Sequence, residues 1–454
     1  MKHIWILFLC LSFMACVSTS DDDDDNFNTP NANRAIQWVR KNPIFLSGIN
    51  ISMGTPHAGF VNVYYDQFHA TAVHLWADGL PTEADGWAAV RPGAFRFVSW
   101  LNKDGVSAAN GQIIGGKPAN SPGRIGFQIG DEPARNCGSL PCAMNNLNGM
   151  AVGINAVRKA DPNALTIVNF SKGDFLEGAL DHYSRHLDGD IVSYSHYSYR
   201  RNAYKGLEAV RRYGRTYSMP YWCYLKAWTT PGDPDGKTAS DMRWNAYSAL
   251  LYGFTGFSWF VYQIEAGSEV LPSLFRSAGD FTAGRSALWH EAARINVTLQ
   301  RLGHVMRKLN STAVRFIPAS ELLQPEGTTN WFRGSGEDPY ITDIESGDSD
   351  QLMEISVGFF QDDTGKIYFM IQNVAHTHWI STDLLDLADR GTVRISFDFE
   401  TAPATTSRSH LLTLNKGSGQ TQQLPLTQLQ GNQGYLDVAL DPGDVALLWY
   451  DTNS

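Results

Sequence analysis

Eight apolar runs of strand length recur between residues 44 and 263, and helical patterns lie between most of them. Near-continuous apolar runs are typical of strands buried on both faces, as in parallel sheets that are covered by helices. Eight such strands alternating with helices predict a (β/α)8 barrel, also called a TIM barrel. The runs are IFLSGIN (44–50), TAVHLWAD (71–78), FRFVSWL (95–101), RIGFQIGDEP (124–133), LTIVNFS (165–171), DIVSYSHYSY (190–199), PYWCYLKAW (220–228) and GFSWFVYQ (256–263).

The helical pattern over residues 239–253 repeats apolar residues at helical spacing and reaches Gly253, which we expect just past the helix end. The alternative fold is a doubly wound open sheet. Such a sheet normally has fewer strands and a glycine-rich phosphate-binding turn after the first, and GINISMGTPHAG (48–59) is not such a turn.

The chain has 454 residues, which is too long for a single core. After about residue 310, helical periodicity fades and short alternating runs follow, which is typical of an antiparallel β-sandwich. The sequence therefore predicts an α/β barrel over residues 34–309 and an all-β sandwich over residues 310–454. The ending LDVALDPGDVALLWY resembles the last hairpin of the all-β domains that follow many glycosidase barrels.

The first 16 residues have the pattern of an export signal. Lys2 precedes an apolar stretch over residues 4–14 that is too short to span a bilayer, and Ala15-Cys16 resembles a bacterial lipoprotein cleavage site. An acidic, polar segment over residues 17–33 then predicts a flexible tether. We expect lipidation at Cys16 and an outer-membrane or cell-surface lipoprotein. The alternative is ordinary cleavage, giving a secreted or periplasmic protein.

Two cysteines in the segment NCGSLPC, Cys137 and Cys142, are spaced to close a loop. An oxidising compartment favours a disulfide between them. The alternative is a metal-binding pair, but no His or further Cys lies close by in the sequence. Cys223 lies in an apolar run and is predicted to be a buried free thiol. No cluster of residues has metal-ligand spacing, and no cofactor is predicted.

Active sites of this fold form at the carboxyl ends of the strands. The fourth run ends in Gly-Asp-Glu-Pro, and Glu132 is placed to act as a catalytic acid, as glycoside hydrolysis requires. Pro133 is expected to hold Glu132 in an extended backbone conformation. The alternative is that Asp131 caps the following loop and Glu132 pairs with Arg135 at the surface.

The Gly-Asp-Glu-Pro segment resembles the fourth strand of the clan of retaining glycoside hydrolases built on (β/α)8 barrels, which ends in Asn-Glu, often Asn-Glu-Pro. By that resemblance Glu132 would be the acid/base, and Asp131, in place of Asn, would contact a sugar hydroxyl. The clan places its nucleophilic Glu at the end of the seventh strand. Here Leu225 and Lys226 stand at that point, so the chain departs from the pattern.

A second catalytic carboxylate has three candidates. Glu265 follows the eighth run and is the first choice, and Asp78 and Asp131 are the others. Strands four and eight lie opposite each other in such a barrel, which suits the wider carboxylate separation of an inverting enzyme, about 6.5–9.5 Å. A Glu in a loop is otherwise most often a plain surface residue.

Aromatic and basic side chains near the strand ends predict substrate contacts, because sugar rings stack on aromatic faces and cations attract carboxylate or sulfate groups. For each of these residues there is an alternative without a role in binding. An aromatic ring or a hydrogen-bonded histidine can belong to the core, and a charged residue can be an ordinary part of a loop. The candidate aromatic residues are Trp76, Trp100, Trp228, Trp259, Tyr194, His196 and Tyr197. The candidate cations are Lys172, Arg200, Arg201 and Lys226.

The net charge of −10 argues against a general nucleic-acid binder, which would need a basic face. Three functions remain. The first is a glycoside hydrolase acting on an extracellular, acidic or sulfated polysaccharide. The second is a surface glycan-binding lipoprotein on a barrel that has lost its nucleophile, and the third is a scaffold lipoprotein. We expect a monomer that meets the membrane only through a lipid anchor.

Overall fold

The computed structural model describes residues 32–452 apart from internal segments. Of the residues singled out above, Cys16, Trp76, Asp78 and Glu265 lie outside the described part, as does almost all of the predicted tether. The segments left out are 52–57, 76–80, 94, 102–112, 115–116, 119–122, 231–237, 265, 281–283, 320–323, 348–352 and 378–390.

Eight parallel strands close into a barrel in which each strand pairs with the next and the last pairs with the first. The structure thus confirms the predicted barrel. The strands are β1 (Phe45–Ile51), β2 (Val73–Leu75), β3 (Phe97–Trp100), β4 (Arg124–Asp131), β5 (Leu165–Phe170), β6 (Ile191–His196), β7 (Tyr221–Lys226) and β8 (Gly256–Ile264).

Helices precede, separate and follow the barrel strands. The last but one begins with a capping box formed by Thr238 and Asp241, and Gly253 follows its end with a φ of 93°, as predicted. The helices are α1 (Ala32–Lys41), α2 (Ala58–Asn62) with a π-helical turn (Val63–Gln67), α3 (Pro81–Val90), α4 (Leu140–Ala160), α5 (Leu176–His186), α6 (Ala203–Thr216), α7 (Ala239–Leu251) and α8 (Ala287–Met306).

Helix α1 covers the amino-terminal end of the barrel. Its Arg34 donates to Asp190 and to backbone carbonyls that lie just before β5. Above α1 a layer of apolar side chains fills the barrel interior, where Phe45 stacks on Trp222 with ring centroids 4.2 Å apart and Trp38 packs beside them. The barrel interior at this end is therefore a packed apolar core.

Two antiparallel sheets form the predicted β-sandwich, whose core lies between them. In sheet order the six-stranded sheet consists of β9 (Asn310–Ile317), β11 (Ile355–Gln361), β12 (Ile367–Asn373), β18 (Val445–Tyr450), β14 (His410–Leu414) and β15 (Thr421–Pro425). The four-stranded sheet consists of β10 (Ile341–Ser346), β13 (Gly391–Asp398), β17 (Gln433–Leu440) and β16 (Thr427–Gln428).

The six-stranded sheet packs on the helical layer of the barrel, and Phe360 and Trp449 belong to the same buried cluster as barrel residues. After β12, His376 is fully buried against the barrel, where its Nδ1 lies 2.9 Å from Asp241 Oδ1 and its ring stacks on Trp244. The shared apolar cluster and the buried contact between His376 and Asp241 indicate that the sandwich braces the barrel. Among the described residues, no helix is long and apolar enough to cross a membrane.

Candidate active site

Two adjacent carboxylates end β4 at the carboxyl-terminal mouth of the barrel. The register of β4 with β5 shifts between Gln128 and Gly130, and Asp131 then pairs with Asn169. Such a bulge changes the direction in which the following side chains point. Both Gln128 and Asp131 consequently make contacts inside the barrel, although they are three positions apart and would point to opposite faces of a regular strand.

Glu132 leaves the strand with a φ of 45°, in the left-handed region that non-glycine residues rarely adopt. The prediction that Pro133 holds Glu132 extended is therefore wrong. Its backbone N–H donates to Asn169 O, and its carbonyl accepts from Arg135 N–H, so a tight turn fixes the residue. Strained backbone of this kind is concentrated at functional sites.

The Glu132 side chain is 11% exposed, and its Oε2 lies 3.0 Å from Nη1 of the largely exposed Arg135. The ion pair of the alternative interpretation is thus present. The carboxylate is nevertheless mostly buried rather than on an open surface. An exposed arginine is a partner that an incoming ligand can displace.

A hydrogen-bonded network holds Asp131 from the neighbouring strands. Asn169 Nδ2 on β5 donates to Asp131 Oδ1 at 2.7 Å and to Ser195 Oγ on β6 at 2.9 Å. Ser195 also hydrogen-bonds Tyr197, just beyond β6. Three consecutive strands therefore fix the position of this carboxyl group.

Burial raises the pKa of Asp131 to about 6, and the adjacent Glu132 charge acts in the same direction, while Asn169 and Arg135 oppose them. Burial likewise raises the pKa of the Tyr197 phenol, and the negative charges of Asp131 and Glu132 raise it further. Tyr197 and the two carboxylates thus belong to one electrostatic site.

Below this network, neutral polar side chains fill the middle of the barrel. Tyr224 on β7 donates to Gln128 Oε1, and its hydroxyl lies 3.4 Å from His74 Nδ1. Burial lowers the pKa of His74 to about 3, so its imidazole is neutral at ordinary pH. At the same level Ser47 and Ser258 hydrogen-bond each other. The carboxylates therefore lie above a buried layer of hydrogen-bonded, uncharged polar side chains.

An aromatic and cationic rim flanks the carboxylates on the side of β6 to β8. Tyr197 packs edge-on against Trp228, with ring centroids 5.9 Å apart, and also contacts Phe260. The Lys226 ammonium, which is buried, lies 4.8 Å from the Trp228 ring centroid and 5.6 Å from that of Tyr199. The structure thus brings the predicted residues Lys226 and Trp228 together beside Tyr197.

Three predicted substrate-binding residues instead face the helices. Tyr194 is 2% exposed and packs over Gly206 of α6, and His196 Nε2 hydrogen-bonds Ser248 Oγ of α7 at 3.1 Å. Trp259 is fully buried, and its Nε1 donates to Asn296 of α8. The structure contradicts their assignment to substrate binding, because adjacent strand residues point to opposite faces and these three lie on the outer one.

The cationic set is dispersed. Arg201 is ion-paired with Glu354 of the sandwich. Lys172 and Arg200 are exposed in loops after β5 and β6. Lys226 contacts the aromatic rim, and together with Leu225 it stands where the resembled clan has its nucleophile. Because Glu265 and Asp78 lie outside the described residues, the identity of a second carboxylate stays a prediction.

A disulfide joins Cys137 and Cys142, whose Cα atoms are 5.6 Å apart, and confirms the predicted pairing. It links the loop after Glu132 to the first turn of α4. Cys223 is a buried free thiol, as predicted, and burial raises its pKa. Within the described ranges, no group of three or more His, Cys, Asp or Glu side chains could hold a metal ion.

Four buried polar residues of this site were not predicted from the sequence, namely Gln128, Asn169, Ser195 and Tyr224. The feature that could have identified them is a polar side chain within an otherwise apolar run. Burying such a side chain is costly unless it is hydrogen-bonded inside the protein.

No protein-family model and no curated protein sequence matches the chain. Among solved structures it is similar to a GH30 endoxylanase from Clostridium papyrosolvens C71, with a TM-score of 0.41 and 11% identity over 90% of this chain and 97% of that one. An endo-β-1,4-mannanase from Thermotoga petrophila gives a TM-score of 0.43 and 11% identity over 75% and 96%. An α-galactosidase from Saccharomyces cerevisiae gives 0.44 and 8% over 90% and 97%. Values this low assign no activity to the chain.

Proposed function

We propose that the chain is a glycoside hydrolase that cleaves glycosidic bonds of an extracellular acidic or sulfated polysaccharide, with Glu132 as the general acid. The observation that carries the proposal is the pair of carboxylates at the barrel mouth. Asp131 is held by a buried hydrogen-bond network and Glu132 by a strained turn. Preorganised carboxyl groups are what glycoside hydrolysis requires.

In this proposal the Glu132 carboxyl donates its proton to the glycosidic oxygen as the bond to the anomeric carbon breaks. A second carboxylate, with Glu265 as the first choice and Asp78 as the next, removes a proton from the water that attacks that carbon. Strands four and eight stand opposite each other in the barrel, which suits this inverting arrangement. Asp131 accepts a hydrogen bond from a sugar hydroxyl.

The substrate class follows from the rim. Trp228 offers an indole on which a sugar ring can stack, and Lys226 holds a positive charge among the Trp228 and Tyr199 rings. A partly desolvated ammonium favours an anionic group on the ligand. A uronate or sulfate substituent on the sugar bound beside Trp228 meets both requirements.

A second candidate function is a glycan-binding protein without turnover. The observation that favours it is Lys226, since β7 ends in a cation at the inward position and not in a carboxylate. Both functions share the binding site, so substrate binding alone does not distinguish them.

The test is release of reducing ends from a panel of neutral, uronate-bearing and sulfated polysaccharides by the wild type and by Glu132→Gln. A matched control is Glu326→Gln, at a residue that is 63% exposed and far along the chain, in the segment before β10. If the chain is a hydrolase, Glu132→Gln should release reducing ends at least about 100-fold more slowly than the wild type while it still binds the polysaccharide. The control variant should match the wild type. Binding by both proteins with no turnover would establish the second function instead.

We also propose that the mature protein is a monomeric lipoprotein at the outer membrane or cell surface, anchored through Cys16. The support is the signal-like sequence and the acidic tether after it. Metabolic labelling with a fatty-acid analogue should mark the wild type and not Cys16→Ser. Recovery of unlabelled wild type from the medium would favour the secreted alternative.

A further inference from the structure

A second cluster of catalytic type lies on the β-sandwich, far in sequence from the barrel mouth. Strands β14 and β18 pair antiparallel, and this places His410 beside Asp451, just after β18. His410 Nε2 lies 3.0 Å from Asp451 Oδ2. The other ring nitrogen, Nδ1, lies 3.1 Å from Ser409 Oγ and 3.0 Å from Ser407 Oγ. Carboxylate, imidazole and hydroxyl are thus within hydrogen-bond distance in series.

The contacts set the roles of the two imidazole nitrogens. Asp451 accepts a hydrogen bond from Nε2–H, so the Nδ1 lone pair faces the serine hydroxyls and can act as a base. Ser409 is exposed, whereas Ser407 is 7% exposed and its Oγ lies 3.3 Å from Ser409 Oγ. Ser409 therefore carries the hydroxyl that a substrate can reach, and the buried Ser407 lies within hydrogen-bond distance of it.

The serine-bearing loop is held on both sides. Ser407 N–H donates to Asp451 O, and Leu426 N–H donates to Ser409 O, each at 2.8 Å. These backbone bonds fix the loop against its neighbours. A nucleophile that is fixed in this way satisfies the geometric requirement for nucleophilic catalysis.

An open groove of about 750 Å³ passes over the cluster and is lined by Thr406, Ser407, Arg408, Ser409, His410 and Gln428. Arg408 is exposed, and its Nη1 donates to Asn432 Oδ1. A guanidinium has five N–H donors, so others remain for an oxyanion that forms over Ser409. The groove thus holds a hydroxyl paired with an oriented base, and a guanidinium on the residue before that hydroxyl, which are the parts that an acyl-transfer site requires.

We propose that Ser409, His410 and Asp451 form an esterase site that removes O-acyl groups. Ser409 Oγ attacks the ester carbonyl carbon while its proton passes to His410 Nδ1, and the carbonyl oxygen becomes an oxyanion beside Arg408. The bond to the alcohol oxygen then breaks, and that oxygen takes the proton from His410. Water hydrolyses the acyl-serine by the same steps, releasing a carboxylic acid. This function is independent of the barrel.

The test is covalent labelling of the full chain by a fluorophosphonate, with the modified residue identified by mass spectrometry, together with hydrolysis of p-nitrophenyl acetate. We expect the adduct on Ser409. Its rate of formation should fall at least about 100-fold in His410→Gln, and by about tenfold or more in Asp451→Asn, because the base and its orienting group are removed. The exposed serine of a neighbouring turn, Ser418, provides the control Ser418→Ala.

Absence of an adduct on Ser409, or an adduct on Ser407 or another serine, would overturn the proposal. So would a labelling rate that is unchanged in His410→Gln. Ser409→Ala changes an exposed side chain, so it should fold normally, and its urea midpoint should match that of the control while ester hydrolysis is lost. Glu132→Gln should label like the wild type, which separates a failure here from a failure of the proposed glycosidase.

Discussion

Because the carboxyl of Asp131 is buried, we expect its ionisation to lower the free energy of unfolding by an amount that can be measured. In Asp131→Asn the side chain keeps an oxygen that accepts from Asn169 Nδ2, so the network through Ser195 can persist. The substitution removes a carboxyl group that ionises although it is buried away from water. The variant should therefore be more stable than the wild type wherever Asp131 is charged.

The size follows from the pKa of Asp131, which burial raises from 3.8 to about 6. Each pKa unit corresponds to about 1.4 kcal/mol, so ionisation costs the folded state about 3 kcal/mol. Well below pH 3.8 both the folded and the unfolded chain hold the proton, and the cost is nearly absent. As the pH rises through 4 to 6.5, the unfolded state loses its proton first and the wild type loses stability. Above that range the cost is constant.

Urea unfolding followed by tryptophan fluorescence measures this difference at pH 4 and pH 7.5. The stability of Asp131→Asn relative to the wild type should increase by about 2–3 kcal/mol between these pH values. Any cost of fitting the amide does not depend on pH and cancels. The matched control Asp174→Asn changes an exposed carboxyl and should show no such change. An increase below about 0.5 kcal/mol in Asp131→Asn would refute the assignment of a buried carboxyl.

Three further substitutions test the packing. Replacing Cys137 and Cys142 by Ser together should lower the free energy of unfolding by about 2 kcal/mol, and a reducing agent should then affect only the wild type. Gly443→Ala should cost about 2 kcal/mol or more in urea unfolding, because φ is 76° and a Cβ there would lie 2.6 Å from a backbone oxygen at the start of α7. His376→Ala should lower the free energy of unfolding by about 3 kcal/mol in the same assay, because Asp241 stays buried without this partner. A loss of stability smaller than that of an exposed His→Ala control would contradict the contact.

The architecture could be predicted from the sequence because its signals are local. Eight apolar runs with helical patterns between them specify the barrel, and Gly253 marks a helix end that the structure shows at that point. The pair Cys137 and Cys142 is close enough in sequence for its loop to be deduced. The change of pattern after residue 310 likewise identified a separate all-β unit.

The orientation of individual site residues could not be predicted in the same way. A strand buried on both faces is apolar on both, so its sequence does not show which residues point inward. On β6, Tyr194 and His196 face helices, while Ser195 and Tyr197 face the site. The backbone of Glu132 was also mispredicted, because a β-bulge and a tight turn outweigh the preference set by a following proline.

Buried polar residues contain the missing information about orientation. Asn169 is a polar residue in the apolar run of β5, and it can be stable there only if neighbouring strands supply hydrogen-bond partners. Its amide contacts Asp131 on one side and Ser195 on the other, so one side chain fixes the inward face of three strands. The small hydroxyl of Ser195, in alternation with the larger Tyr194 and His196, carries the same information. Asn169 thus holds the carboxyl of Asp131 and needs both partners for its own hydrogen bonds. Loss of Asn169 should therefore disturb the site more than loss of the partly exposed rim residue Trp228.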